Sequence, residues 1–188
     1  SLVKNKDYWD ANTVKTPKIN IQTIKDQNTG YNLYKSKKVD YTTLSPDQYK
    51  ASKNKKDYTV ISQASTAYIE FNENKKPLDN TNIRKALSKS IDRSTMSSKI
   101  LGGGGKPAYS LTATKLAKDP NSGKDFATVA ADKDASGYDL KEAKKLWKQG
   151  LKETGKKKVS LQYLTDDTDS AKRSAQFIQS QMEKLPGL

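Results

Sequence analysis

An α/β fold is predicted for this chain of 188 residues, and three observations predict it. Short runs alternate apolar and polar residues, as in KINIQTIK at 18–25 and VSLQY at 159–163, which is the two-residue period of a strand. Other segments repeat their apolar residues at helical spacing behind Asn, Asp or Ser caps. The chain also closes on a strand followed by a helix, a βα unit whose partner strand is missing.

The elements are expected in this order. Leu2, Val3, Lys4 and Asn5 read as a strand already under way, so the natural N-terminus is expected elsewhere. A polar loop around Tyr8 and Trp9 leads to a strand at 18–25. A short helix is expected at 28–35, with Leu33 and Tyr34 apolar, and a second strand at 39–44. Ser45 as N-cap and Pro46 at the first helical position start a helix that runs to about Ser52. After a charged loop at 53–56, residues 58–63 and 67–72 are β-rich runs. The stretch 72–80 (NENKKPLDN) is a turn-forming linker.

Asn80 then caps a strongly patterned helix, 81–91, with Ile83, Ala86, Leu87, Ser90 and Ile91 on one face. Asp92 can cap a further helix, 93–101, which stops at four glycines, 102–105. Residues 106–138 show no periodicity and are read as a long surface loop. Asp139 caps a helix to about Thr154, with Leu140, Ala143, Trp147 and Leu151 in register, and Gly155 ends it. After the strand at 159–163, Asp169 or a neighbour caps a last helix carrying Ala171, Ala175, Ile178, Met182 and Leu185. No internal repeat is visible.

Composition narrows the function. Hydrophobic residues make up 33% and charged residues 30%, a polar balance with a modest core. With no Cys and no His, the chain excludes internal disulfides, thiolate chemistry, Cys/His zinc sites and Ser-His-Asp triads. The net charge of +14 raises nucleic acid as a partner. The excess is nearly all Lys, however, with Arg84, Arg93 and Arg173 the only arginines. Base readout and phosphate forks favour the planar Arg. The charge is also spread, with 12 basic and 7 acidic side chains in 1–71 and 23 and 14 in 72–188. No stretch approaches the ~20 apolar residues of a membrane span, and no leader pattern opens the chain.

Three motifs carry possible chemistry. The glycines 102–105 with Lys106 resemble a phosphate loop, but Pro107 stands where Ser or Thr is wanted and a helix precedes them, so a turn ending that helix is the better reading. Asp166, Asp167 and Asp169 could act as acid and base or hold Mg²⁺; capping the following helix explains them fully. Five tyrosines, Tyr31, Tyr34, Tyr41, Tyr58 and Tyr68, cluster in the first part. They suit either a core rim or a strand edge that grips extended peptide.

The order of segments resembles the family-5 solute-binding proteins, the oligopeptide and dipeptide receptors of ABC importers. Asn5, Tyr8 and Trp9 match an Asn-x-x-Tyr-Trp loop, and Asp40 matches a step before a short strand, with Lys37 where Gly is common. Phe71-Asn72 matches a strand end. Pro77-Leu78-Asp79, Arg84-Lys85-Ala86-Leu87 and Ile91-Asp92-Arg93 match the most specific part. Arg84, Arg93, Asp79 and Asp92 are read as structural caps and ion pairs.

The resemblance implies a fragment of a two-lobe, type II periplasmic-binding-protein-like fold. Residues 1–68 would end the first lobe and 69–188 would start the second, with signal peptide and lipid-anchor Cys upstream. It implies capture of extended oligopeptides and delivery to membrane permease subunits, without enzymatic chemistry, cofactor or metal. Peptide contacts are expected at Tyr41, Thr42, Thr43 and Leu44, and at Ala67 and Tyr68 where the chain crosses between lobes. A monomer is expected, outside the cytoplasmic membrane and lipid-anchored to the cell surface in the full-length protein, or periplasmic in a Gram-negative source. The alternatives are a receptor of the same fold for another small solute, such as nickel or a sugar, and a Lys-rich module for nucleic acid or an anionic surface.

Overall fold

The helices begin where side-chain oxygens take over backbone N–H groups that a helix start leaves without partners. The computed structural model describes residues 1–61, 63–102 and 105–188. Contacts divide it into two units, Ser1–Thr43 and Leu44–Leu188.

In the first unit, β1 (Leu2–Val3) pairs antiparallel with β2 (Lys18–Ile19), Leu2 opposite Ile19 and Val3 opposite Lys18. The Lys4 N–H extends the pairing to the Pro17 carbonyl at 2.9 Å. Helix α1 (Gln27–Lys35) follows. The Asp26 carboxylate caps it, accepting from the Thr29 N–H at 2.7 Å and the Thr29 hydroxyl at 2.6 Å, and these bonds hold Asp26 below the usual carboxylate range.

The second unit carries the core. Ser45 and Gln48 form a reciprocal capping box at the start of α2 (Pro46–Ser52). Asn80 caps α3 (Thr81–Ser90), its side-chain oxygen accepting from the Ile83 N–H at 3.1 Å. Asp92 caps the single turn α4 (Arg93–Thr95), which continues into a π-type turn, Met96–Ile100. Two short helices follow, α5 (Phe126–Val129) and α6 (Lys133–Ser136), capped by Asp125 and Asp132. Then come α7 (Leu140–Glu153), capped by Asp139, and α8 (Asp169–Met182), capped by Thr168.

Helix α3 packs along α7, and between them lie Ile83, Ala86, Leu87, Ala143 and Trp147, with Val159 and Leu185 completing the cluster. The helices come close because Gly150 has no side chain. A Cβ there would lie 2.7 Å from Ile83 Cγ1 and 3.0 Å from Asn80 Oδ1. Trp147 is 1% exposed and its indole N–H donates to the Pro186 carbonyl at 2.9 Å. This bond ties the C-terminal segment to the core.

Glu153 closes the same junction. Its carboxylate accepts from the side-chain amides of Asn80 at 2.8 Å, Asn82 at 2.9 Å and Gln149 at 2.9 Å. The Asn80 amide above all, then those of Asn82 and Gln149, hold Glu153 below its ordinary value of 4.5. A carboxyl depressed on folding stabilises above its unfolded pKa, and that contribution is lost as pH falls through the folded value. The stability difference between the wild type and Glu153→Gln is therefore expected to be greatest near neutral pH and to shrink as pH falls below about 4.3. Urea titrations of both proteins at a series of pH values check this; a pH-independent difference would show that the carboxylate charge plays no part.

The structure corrects several expected elements. Of the strand expected at 18–25, only Lys18 and Ile19 are laddered. Among the described residues, 39–44, 58–63, 67–72 and 159–163 form no strand; Ser62 lies outside them. Among the described residues these runs have no strand partner, and at 159–163 a single bond, from the Val159 N–H to the Gly187 carbonyl, stands in place of a ladder. Alternation selects the backbone conformation, whereas a ladder needs a second chain segment. The helix expected at 93–101 is one α turn and one π turn. Here the Ser98 hydroxyl bonds the Ser94 carbonyl at 2.7 Å and the Ser97 hydroxyl reaches the Gly105 carbonyl, so side chains compete for the backbone. The stretch 106–138 is mostly irregular, as expected, apart from α5 and α6.

Arg84 and Arg93 are structural, and Arg84 makes an ion pair, as expected. Arg84 donates to the carbonyls of Leu78 (2.8 Å) and Asp79 (3.0 Å) and pairs with Glu73 at 3.2 Å. Arg93 donates to the Ser88 carbonyl and hydroxyl, both at 3.0 Å. Asp79 does not cap a helix; Asn80 does.

Candidate functional site

Tyr41, Thr42, Thr43 and Leu44 follow α1 through a tight helix end. The Lys38 N–H bonds the Leu33 carbonyl and the Lys37 N–H bonds the Tyr34 carbonyl, both at 2.9 Å, the bond pair of a Schellman cap. Lys37 sits at the left-handed position of that cap, with φ 58. This is why Gly is favoured there, and why Lys costs backbone strain. Beyond it, the segment is extended and passes over Gly30, where a Cβ would lie 2.8 Å from Thr42 Oγ1. Tyr41 and Thr43 are exposed while Thr42 is half-buried, the alternation of a strand. Leu44, in the second unit, is half-buried just ahead of the Ser45 capping box.

Ala67 and Tyr68 lie in a second extended run. Ile69 and Phe71 are half-buried, and Phe71 packs against the α3–α7 core. Ala67, Tyr68 and Glu70 are exposed. Docking of Phe71 thus turns the Tyr68 ring outward, 68% exposed, as Tyr41 is at 72%. Among the described residues, 59–71 make no backbone–backbone hydrogen bond. The same holds of 39–44, so both runs leave backbone N–H and C=O groups unpaired within the backbone next to exposed tyrosine rings. Such an arrangement can bind by backbone pairing with an extended chain. Tyr41, Thr42 and Thr43 belong to one unit and Leu44, Ala67 and Tyr68 to the other.

The remaining candidates resolve into structural roles. Asp167 pairs with Lys172, Thr168 caps Ala171 and Asp169 lies in the first turn of α8, so the acidic cluster is a helix start. Among the described residues no group of three or more Asp or Glu could hold a metal ion. Gly102, with φ 71, ends the π turn; Gly103 and Gly104 lie outside the described residues. One cavity escaped the sequence reading, and the exposure of Trp9 in the expected Tyr8–Trp9 loop could not be read from it. A cavity of about 230 Å³ opens beside the β1–β2 pair, lined by Leu2, Tyr8, Val14 and Ile19 among others. Trp9 is 87% exposed beside Tyr8, with ring centroids 5.6 Å apart.

The fold is that of a part of the type II periplasmic-binding class, to which the solved peptide-binding neighbours belong. The chain belongs to the bacterial extracellular solute-binding proteins, family 5, whose "family 5 Middle" model matches residues 1–188. It is 38% identical to a dipeptide-binding protein of Lactococcus lactis subsp. cremoris over 200 residues, covering 100% of this chain and 36% of that protein. It is 32% identical to the oligopeptide-binding protein OppA of Bacillus subtilis, covering 100% and 35%. The solved structure of Listeria monocytogenes OppA bound to peptide superposes with a TM-score of 0.87 at 40% identity, over 99% of this chain and 37% of that one. The substrate-binding domain of an oligopeptide ABC transporter from Bacillus anthracis gives a TM-score of 0.88 at 34% identity, over 98% and 36%. The chain thus spans little more than a third of the length of these relatives. Among the described residues, no helix is long and apolar enough to cross a membrane.

Proposed function

We propose that this chain is part of the substrate-binding component of a peptide ABC importer, which captures extended oligopeptides and delivers them to a membrane permease. The observation that carries this reading is the end-to-end likeness to an OppA solved with peptide bound. Residues 1–68 supply the end of the first lobe and 69–188 the start of the second. The compact units divide earlier, at Thr43 and Leu44. Tyr41 to Leu44, and separately Ala67 and Tyr68, offer backbone groups and ring surface to the ligand. Binding then needs no nucleophile, base or cofactor. The longer protein works as a monomer outside the cytoplasmic membrane, tethered by a lipid anchor.

The expected result is a split in affinity. Ligand held by one incomplete wall loses its freedom while keeping much of its water contact, so little free energy remains for binding. In calorimetric titration of a mixed peptide pool, the 188-residue chain should bind weakly or not at all, and the longer receptor tightly. In the longer receptor, Tyr68→Ala should cost about 1 kcal/mol or more, and Tyr138→Ala, the distant control, much less. Equal affinity of the chain and the longer receptor would refute the divided site. An inert Tyr68→Ala in a receptor that binds peptide would refute the residue assignment alone.

A further inference from the structure

Helix α7 carries a second surface, opposite the one it buries. Ala143, Trp147 and Gly150 face the core. At 3.6 residues per turn, Lys141, Lys144, Lys145, Lys148 and Lys152 fall within about 100° of arc on the other side, over about 16 Å of helix. All five are exposed, as are Lys156, Lys157 and Lys158 just beyond the helix.

The neighbouring acids make one direct contact with this stripe. The Asp139 carboxylate is occupied by the Glu142 N–H at the helix cap. Among the described residues, the Glu142 carboxylate meets Lys145 alone, at 3.4 Å. Glu153 is held by the amides of Asn80, Asn82 and Gln149. Among the described residues, the side chains of the other lysines of the stripe have no ion pair or hydrogen bond. Lys141 and Lys145, Lys144 and Lys148, and Lys148 and Lys152 stand four residues apart, a spacing at which like charges oppose the helix. An anionic layer laid along the stripe would relieve that repulsion. Lysines are almost never fully buried unless paired, so the rest of a longer receptor is not expected to cover this face.

We propose that the lysine face of α7 docks on an anionic phospholipid bilayer, independently of any peptide site. Charge complementarity and shape select this occupant. A straight helix projecting five flexible ammonium groups from one side can meet a plane with all of them at once. The face has no arginine fork and no exposed aromatic ring, because Trp147 is buried on the opposite side, and these are the groups that hold nucleic acid.

The test is co-sedimentation of the protein with phosphatidylcholine vesicles with and without phosphatidylglycerol. Binding is expected only to the phosphatidylglycerol vesicles, and it should fall steeply as salt is raised to about 0.5 M. The triple variant K144Q/K148Q/K152Q keeps good helix formers and should weaken binding by about tenfold or more. The control K106Q/K118Q/K124Q removes the same charge from the long loop and should change binding by about twofold at most. Circular dichroism confirms that both variants keep the fold. Equal loss in the two variants would mean diffuse net charge and would overturn the assignment to α7. Binding to both kinds of vesicle, or to soluble polyphosphate but to neither vesicle, would overturn the bilayer as occupant.

Discussion

Leu87→Ala should lower the unfolding free energy by about 2–5 kcal/mol. Leu87 is fully buried in the face that α3 turns to α7, among Ile83, Ala86, Ala143 and Trp147. Truncation removes buried methyl groups and leaves a cavity whose walls are two capped helices. Those walls can close only partly, because Asn80 and Asp139 fix the starts of α3 and α7 and the Glu153 carboxylate joins them. The measurement is a urea titration, with the change read from the midpoint at constant slope. A loss below about 1 kcal/mol would show that the α3–α7 seam is not a close-packed core.

Trp147→Ala should be more damaging, at about 3–5 kcal/mol. Trp147 is the largest of the fully buried side chains, and it also donates to the Pro186 carbonyl. That bond reaches 39 residues along the chain. It fixes the segment that follows α8, where Leu185 joins the core and the Gly187 carbonyl accepts from the Val159 N–H at 2.8 Å. Trp147→Phe separates the two contributions. It keeps most of the apolar area but leaves the Pro186 carbonyl without its donor, at a cost of about 1–3 kcal/mol. Hydrogen exchange at the Val159 amide should quicken in both variants. Unchanged protection there would show that the C-terminal segment is held by something other than the indole.

The legible part of the fold was its helices. Ser45 with Pro46, Asn80, Asp92 and Asp139 stand where the structure places caps, because a cap is a bond between residues three apart and needs nothing distant. The buried faces of α3 and α7 could be read for the same reason: period alone decides which side of a helix is apolar. The lysine stripe on α7 was present in the same spacing, but its meaning depended on knowing that Asp139, Glu142 and Glu153 were already engaged. For the candidate site, the alternation at Tyr41–Leu44 and Ala67–Tyr68 was legible, and so was the family resemblance that gave it a role.

By itself, the sequence determined cap positions, helix faces and the alternating exposure at 41–43 and 68–71, all of which follow from neighbours within a turn or a pleat. Only the tertiary structure decided what depends on distant partners. It showed that runs without a neighbouring strand form no ladder, that Gly150 lets α3 approach α7, and that Arg84 goes to the Leu78 and Asp79 carbonyls and to Glu73. It also brought Glu153 to two asparagines more than 70 residues away. A carboxylate or a strand edge accepts many partners of equal chemistry, and which one it receives is settled by packing rather than by local spacing.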